Sequence, residues 1–334
     1  MKLNKKKVLV TGAGGFIGSH LVEHLLELGA EVKALVKYNA RNDWGNLEHL
    51  PKETLNAIEI VSGDIADPYF VHQAVQGCSV VFHLAALIGI PYSYVAPQHY
   101  VNVNIQGTLN VLEACRTHAV EKLVHTSTSE TYGTALYTPI DENHPLQGQS
   151  PYSATKIAAD KLAESYFNAF DLPVSIIRPF NTFGPRQSAR AVIPTMISQV
   201  LGYPDSQQSL QLGNLAPKRD FNYVKDTVSG FTAIAAADDT NGKVINIGTG
   251  VAYSMAETLA MILELCQSDE MPLSVKQERV RPEKSEVDLL LADATLAKAL
   301  TGWSPQFSLK DGLQETIQYV QNHLHQYKTD RYAI

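Results

Sequence analysis

Tyr152 and Lys156 stand four residues apart in the stretch PYSATK (151–156), a spacing that puts both on one face of a helix. A free phenol has a pKa of ~10, too high for a base at neutral pH. A nearby ammonium, helped by a cationic ring in the same site, stabilises the phenolate and makes tyrosine a usable base. The pair therefore reads as a site of proton transfer. A second group sits in HTSTSETYG (125–133), where Glu130 directly follows Thr128 and Ser129. Short hydroxyl side chains after an apolar run mark a turn or helix cap. A carboxylate on that rim is either a second base or a solvated acid favoured by a helix dipole.

A third feature lies near the start. VTGAGGFIGSH places Gly12, Gly15 and Gly18 between an apolar run and a helical pattern. Glycine permits a tight turn and a close backbone approach, and the helix N-terminus that follows offers free N–H groups to a pyrophosphate. In a strand–turn–helix context this points to a dinucleotide. NAD-binding sheets usually carry an acid at the end of the second strand, on the ribose hydroxyls. Here Lys37 stands in that place with Arg41 nearby, which leans slightly toward the 2′-phosphate of NADP and leaves NAD open. A solvated basic loop is the alternative. Asp64, after the third run, either accepts from the adenine amino group or caps a helix.

These residues need a scaffold. Short β-branched runs at 7–11, 30–36, 56–64, 79–86, 122–127 and 173–179 alternate with helical stretches, notably around 98–118 and 152–170. Ile17, Leu21, Val22, Leu25 and Leu26 share one helical face, and Gly29 can end that helix. Strand–helix alternation implies right-handed crossovers and a parallel sheet covered on both faces. The fold class expected is therefore α/β, a doubly wound Rossmann-type sheet over residues 1–178. A return strand is expected at 242–250, with a smaller C-terminal α/β lobe from 179–241 and 251–334. Loops rich in arginine follow residue 179, and residues 308–324 read as a closing amphipathic helix. There is no internal repeat.

Totals narrow the class. The chain has 334 residues, 45% hydrophobic and 18% charged, with a formal net charge of −7, which suits a globular protein. The acidic balance argues against nucleic acid as a partner. Cys78, Cys115 and Cys266 are widely spaced and the histidines form no ligand pattern, so a metal site is not expected and free thiols in a reducing cytosol are. No apolar stretch reaches the roughly 18 residues of a membrane span.

TGAGGFIG, GDI, HLAA, NIQGTLNVLEA, TSTSETYG, YSATK, RPFNTFGPRQ and RPEKSEVDLLLAD together resemble the extended short-chain dehydrogenase/reductases, over almost the whole chain. The resemblance implies a Rossmann domain, a C-terminal lobe for a nucleotide sugar, and a homodimer built through paired helices. It adds Phe16, Ile17, Ile65, Leu84, Ala85 and Ala86 to the cofactor-binding residues and has Lys156 bind the cofactor ribose. Thr128-Ser129-Glu130 resembles the nucleotide-sugar 4,6-dehydratases, where simple C4 epimerases usually carry small residues. The implied reaction oxidises C4, eliminates water across C5 and C6, and returns the hydride to C6. Catalytic roles are implied for Thr128, Ser129, Glu130, Tyr152 and Lys156. Arginine forks suit a diphosphate, and Arg178, Arg186, Arg190, Arg219 and Arg281 punctuate the second half. By resemblance, Asn181, Arg219 and Arg281 contact the diphosphate; Arg190, Ser93 and Tyr94 are further substrate candidates, and Asn104 supports the site. The loops at 36–48, 184–194 and 212–221 resemble the dehydratase branch of legionaminic-acid-type pathways, which implies a UDP- or GDP-linked N-acetylglucosamine. A 4-epimerase is the nearest alternative, and a non-catalytic NADP-binding regulator a remote one.

Overall fold

The computed structural model describes residues 2–206, 209–268, 271–275 and 287–327. Six strands follow the expected order: β1 (Lys7–Thr11), β2 (Glu31–Lys37), β3 (Ile58–Gly63), β4 (Val80–His83), β5 (Lys122–Thr126) and β6 (Val174–Pro179). After β7 (Asn181–Phe183), β8 (Leu210–Leu212) and β9 (Lys218–Tyr223) comes β10 (Val244–Ile247), which pairs parallel with β6. The seven-stranded sheet runs β10-β6-β5-β4-β1-β2-β3, all parallel. That order reverses direction between β1 and β4, and such a switch point opens a crevice at the carboxyl ends of the strands.

β1, β4 and β6 are buried almost throughout, because helices cover both faces and leave no solvated side for polar residues to occupy. One face packs Val8, Val10, Val80, Phe82 and Val124 against the helix Phe16–Glu27 and the helix Val224–Ala236. The other packs Leu9, Val81 and Leu123 against the helices Gly107–Thr117 and Pro151–Phe170. Gly29 follows the first helix with φ +76°, the left-handed turn that only glycine adopts without strain.

The later chain builds smaller sheets. β9 pairs with β7, with β11 (Ala252–Ser254) and with β13 (Leu289–Leu290), while β12 (Leu273–Val275) pairs with β8. The closing helix runs Leu309–Asn322 behind a capping box at Ser308 and Asp311, burying Leu309, Leu313, Ile317 and Val320. No described helix is long and apolar enough to cross a membrane. Among the described residues no group of His, Cys, Asp and Glu is arranged to hold a metal ion.

Candidate active site

A cavity of about 720 Å³ opens at the switch point. Its floor is the turn after β1. Gly12 has φ +69°, and a Cβ there would lie 2.8 Å from the backbone nitrogen of Ala85; at Gly18 it would lie 2.3 Å from the Gly12 carbonyl oxygen. These approaches explain the glycines better than flexibility does. Gly15 caps the first helix without any side-chain hydrogen bond, so the first-turn N–H groups face the cavity uncapped. Thr11 Oγ1 accepts from the N–H groups of Leu84 and Ala85, both at 3.1 Å, fixing the opposite wall. The same hydroxyl donates to His83 Nδ1 at 2.8 Å, and His83 Nε2 then faces Thr108 Oγ1 at 3.1 Å. Thr108 donates onward to the Asn104 carbonyl, so the chain of donors closes with a neutral His83. Burial holds that imidazole well below its ordinary range.

Gly12, Gly15, Phe16, Ile17, Gly18, Lys37, Asp64, Ile65, Leu84, Ala85 and Ala86 all line this cavity, together with Tyr152 and Lys156. Arg41 does not line it and is exposed. Asn39, Asp43, Trp44 and Gly45, after β2, form a rim of the cavity that sequence reading missed. Asn39 donates to the Asp43 carbonyl at 2.7 Å, and Asp43 Oδ1 accepts from Gly45 N at 2.6 Å, folding the loop onto the glycine turn. Its only signal in the sequence was a run of turn-forming residues. Thr182 and Gln187 were also missed. Three buried acceptors in the cavity wall, Thr126 Oγ1, Asn181 Oδ1 and Gln187 Oε1, have no hydrogen-bond partner in the described protein. An open helix start, a glycine cradle and unmet polar atoms together fit a dinucleotide and a second polar ligand.

The far end holds Tyr152, Lys156 and the turn that carries Thr128, Ser129 and Glu130. The helix Pro151–Phe170 starts behind a capping box at Ser150 and Ser153 and buries Tyr152 and Lys156 on its inner face. Lys156 Nζ donates to the Thr126 carbonyl at 2.6 Å. Burial pulls its pKa down to about 8, with Asp160 opposing. Tyr152 is held above the usual phenol range, first by burial; Thr128, hydrogen-bonded to it, works the other way, and the Glu130 charge adds to the rise. The protein alone therefore leaves this tyrosine protonated. Thr128 caps a single helical turn, Ser129–Thr131, by accepting from Glu130 N at 3.2 Å. That turn aims residues 128, 129 and 130 into the cavity, with Ser129 buried and Glu130 half-buried. Asn104 Nδ2 donates to Thr155 Oγ1 and to the Leu87 carbonyl, both at 3.0 Å, joining the wall to the helix that carries Tyr152 and Lys156. It sits in a π-helical segment, Val101–Gln106, a distortion frequent beside functional sites.

The substrate candidates scatter. Asn181 lines the cavity. Ser93 is fully buried and donates to the Ile90 carbonyl at 2.6 Å, so it presents no hydroxyl to the cavity. Tyr94 is 44% exposed and outside the lining. Arg190 is exposed beside Gly89, outside the lining. Arg219 is buried and donates to the neighbouring Lys218 carbonyl. Arg178 and Arg186 serve as internal ties, to Asp160 and to Glu23 respectively. Arg281 lies outside the described residues.

The family model described as GDP-mannose 4,6 dehydratase matches residues 9–316. The low-salt glycan biosynthesis protein Agl12 of Haloferax volcanii is 33% identical, over 93% of this chain and 97% of its own. A UDP-glucose 4-epimerase of Mycolicibacterium smegmatis is also 33% identical, over 95% and 99%. Among solved structures, a dTDP-glucose 4,6-dehydratase from Streptomyces venezuelae, solved with NAD and TYD bound, superposes with a TM-score of 0.84 at 27% identity, covering 96% of this chain and 99% of that one. With its parallel sheet, glycine turn and Tyr–Lys pair, the chain belongs to the GDP-mannose 4,6 dehydratase family of extended short-chain dehydrogenase/reductases, whose relatives here include both dehydratases and 4-epimerases.

Proposed function

We propose that the protein is a nucleotide-sugar 4,6-dehydratase that converts an NDP-hexose, UDP- or GDP-N-acetylglucosamine by its sequence, to the 4-keto-6-deoxy sugar. The observation that carries this reading is Glu130: a carboxylate in the same cavity as Tyr152 and Thr128, close enough for its charge to act on the tyrosine. Proton removal from C4 oxygen needs one base; elimination across C5 and C6 needs a second on another part of the ring.

A nicotinamide dinucleotide held over the glycine turn supplies a hydride acceptor that later serves as donor. Lys156 anchors its ribose, and its positive charge with that of Lys156 brings the Tyr152 phenol down to a working range. Tyr152 takes the proton of the C4 hydroxyl while Thr128 holds the phenol oxygen. The ketone formed at C4 acidifies C5–H, and Glu130 removes that proton. The C6 hydroxyl leaves as water, protonated by the Glu130 carboxylic acid just formed or by Ser129. Glu130, having passed its proton to the leaving water, takes a fresh one from solvent and delivers it to C5 as C6 takes back the hydride that the bound nicotinamide would supply, which would leave the cofactor unchanged overall. For the cofactor's 2′ position, the lean toward NADP from Lys37 has no support among the relatives, whereas the Streptomyces dehydratase was solved with NAD. A carboxylate at Asp43 on the same rim favours NAD as well.

A 4-epimerase is the second reading, favoured by relatives named as epimerases at 33% identity, beside relatives named as dehydratases at 29–30%. Incubation with UDP-, GDP-, dTDP- and CDP-sugars separates them. Dehydration removes one water by mass and incorporates one solvent hydrogen at C5, whereas epimerisation leaves the mass unchanged. A product of unchanged mass across the panel would end the dehydratase reading.

A further inference from the structure

Tyr152, Lys156 and Asp160 recur every four residues along the helix Pro151–Phe170, and all three are buried. Neighbours at this spacing stack on one helical face. Asp160 is 0% exposed and sits among polar and charged partners. Its Oδ2 accepts from Ser127 Oγ at 2.7 Å and from Arg178 Nη2 at 2.8 Å. Arg178 is itself held by the Tyr132 hydroxyl at 3.1 Å and lies over the Tyr132 ring. The other oxygen, Oδ1, has no hydrogen-bond partner and lies 3.4 Å from His125 Nε2.

We propose that Asp160 is a positioning residue for the catalytic pair, the fixed counter-ion that keeps the buried Lys156 ammonium charged and aimed at Tyr152. This rests on the reading of Tyr152 and Lys156 as the proton-transfer pair.

The alternative is that Asp160 only neutralises Arg178. Two observations speak for more. Ser127 lines the cavity with its hydroxyl turned to Asp160, so the carboxylate is tied to the site wall as well as to the arginine. And the hydrogen bond of Lys156 goes to the Thr126 carbonyl, which carries no charge to balance its ammonium. Lys156 and Asp160 act on each other electrostatically, and Lys156 acts also on the buried imidazoles of His83 on β4 and His125 on β5. Burial lowers both histidines, with Lys156 adding to the effect. Burial alone would raise the Asp160 carboxyl, but His125, Arg178 and Lys156 outweigh it and hold it at about 2. Asp160 is thus an ionised carboxylate about one helical turn from the lysine on the same buried face.

The test reads Lys156 directly and needs no sugar substrate. The purified protein carries lysine labelled at Cε, and the Lys156 signal is identified by its loss in Lys156→Arg. Its titration midpoint is compared between wild type and Asp160→Asn, and between Arg178→Gln and the double variant Asp160→Asn with Arg178→Gln, each checked by circular dichroism. The second comparison leaves no unpaired arginine in the double variant and cancels the arginine's own charge, so it stays informative should Asp160→Asn alone fail to fold. The midpoint is expected to fall by about one pH unit or more, tenfold in proton affinity, in both comparisons. A double variant titrating within about 0.3 unit of Arg178→Gln would overturn the proposal and leave Asp160 as a partner for Arg178 alone. Because no turnover is measured, failure of the dehydratase reading would leave this result intact.

Discussion

Replacing Glu130 by glutamine separates the two halves of the proposed reaction. The side chain keeps its length and its half-buried place in the one-turn helix Ser129–Thr131, so the fold is expected to survive. What disappears is the base at C5. A positioned general base contributes about 10²–10⁴-fold, which corresponds to roughly 3–5 kcal/mol at 1.36 kcal/mol per tenfold. Oxidation at C4 should respond differently. The Glu130 charge adds to the rise of the Tyr152 phenol, and removing it makes that tyrosine easier to ionise. In a single turnover with excess enzyme the variant is therefore expected to reduce its cofactor at wild-type rate or faster. The reduced form, followed by its absorbance, should then accumulate because no elimination consumes the ketone. Mass measurement would show the loss of water slowed by the same 10²–10⁴-fold. Glu130→Gln releasing the dehydrated sugar at the wild-type rate would refute the assignment. Loss of cofactor reduction together with elimination would place Glu130 in the C4 step instead.

Tyr152→Phe removes the acceptor of the C4 proton and should abolish cofactor reduction and dehydration together, by about 10²–10⁴-fold, while leaving cofactor affinity nearly unchanged by titration. Lys156 titrates at about 8; its ammonium is present below that pH and lost above it. Cofactor affinity is expected to fall as pH rises from 7 to 9, whereas Lys156→Met binds weakly and without that dependence; a flat wild-type profile would contradict the anchoring role. Gly12→Ala sets a Cβ 2.8 Å from the Ala85 nitrogen at φ +69°, and strain of this kind costs on the order of 1–3 kcal/mol. A lowered melting temperature and weakened dinucleotide binding should result. With Asp43 on the cavity rim after β2 and Arg41 outside the lining, NAD should bind more tightly than NADP, and Asp43→Asn should narrow the difference when both are measured by equilibrium titration.

The strands of the main sheet were legible because a parallel strand covered on both faces must be apolar along its whole length. The runs at 7–11, 122–127 and 173–179 lie within one residue of β1, β5 and β6. The return strand, Val244–Ile247, is apolar for the same reason and pairs with β6. The Tyr–Lys pair was legible because helix geometry fixes what lies four residues away. The polar side chains of the second half were harder to read. Arg178 looks in sequence like any other arginine suited to a phosphate, and only the packing of β6 against the helix Pro151–Phe170 turns it inward to Asp160. Ser93 looks like a loop hydroxyl and is buried beneath its own turn.

Composition and short-range spacing thus determined the sheet, the glycine turn and the shared helical face of Tyr152 and Lys156, since each depends on backbone geometry repeated over a few residues. The tertiary structure decided which distant groups share one cavity. Glu130 reaches the site from the turn after β5, Asp43 from a loop beyond β2, and Gln187 from the segment after β7. The physical reason is that the crossovers bring the carboxyl ends of all the strands to one edge, and contacts made there carry no periodic signature along the chain.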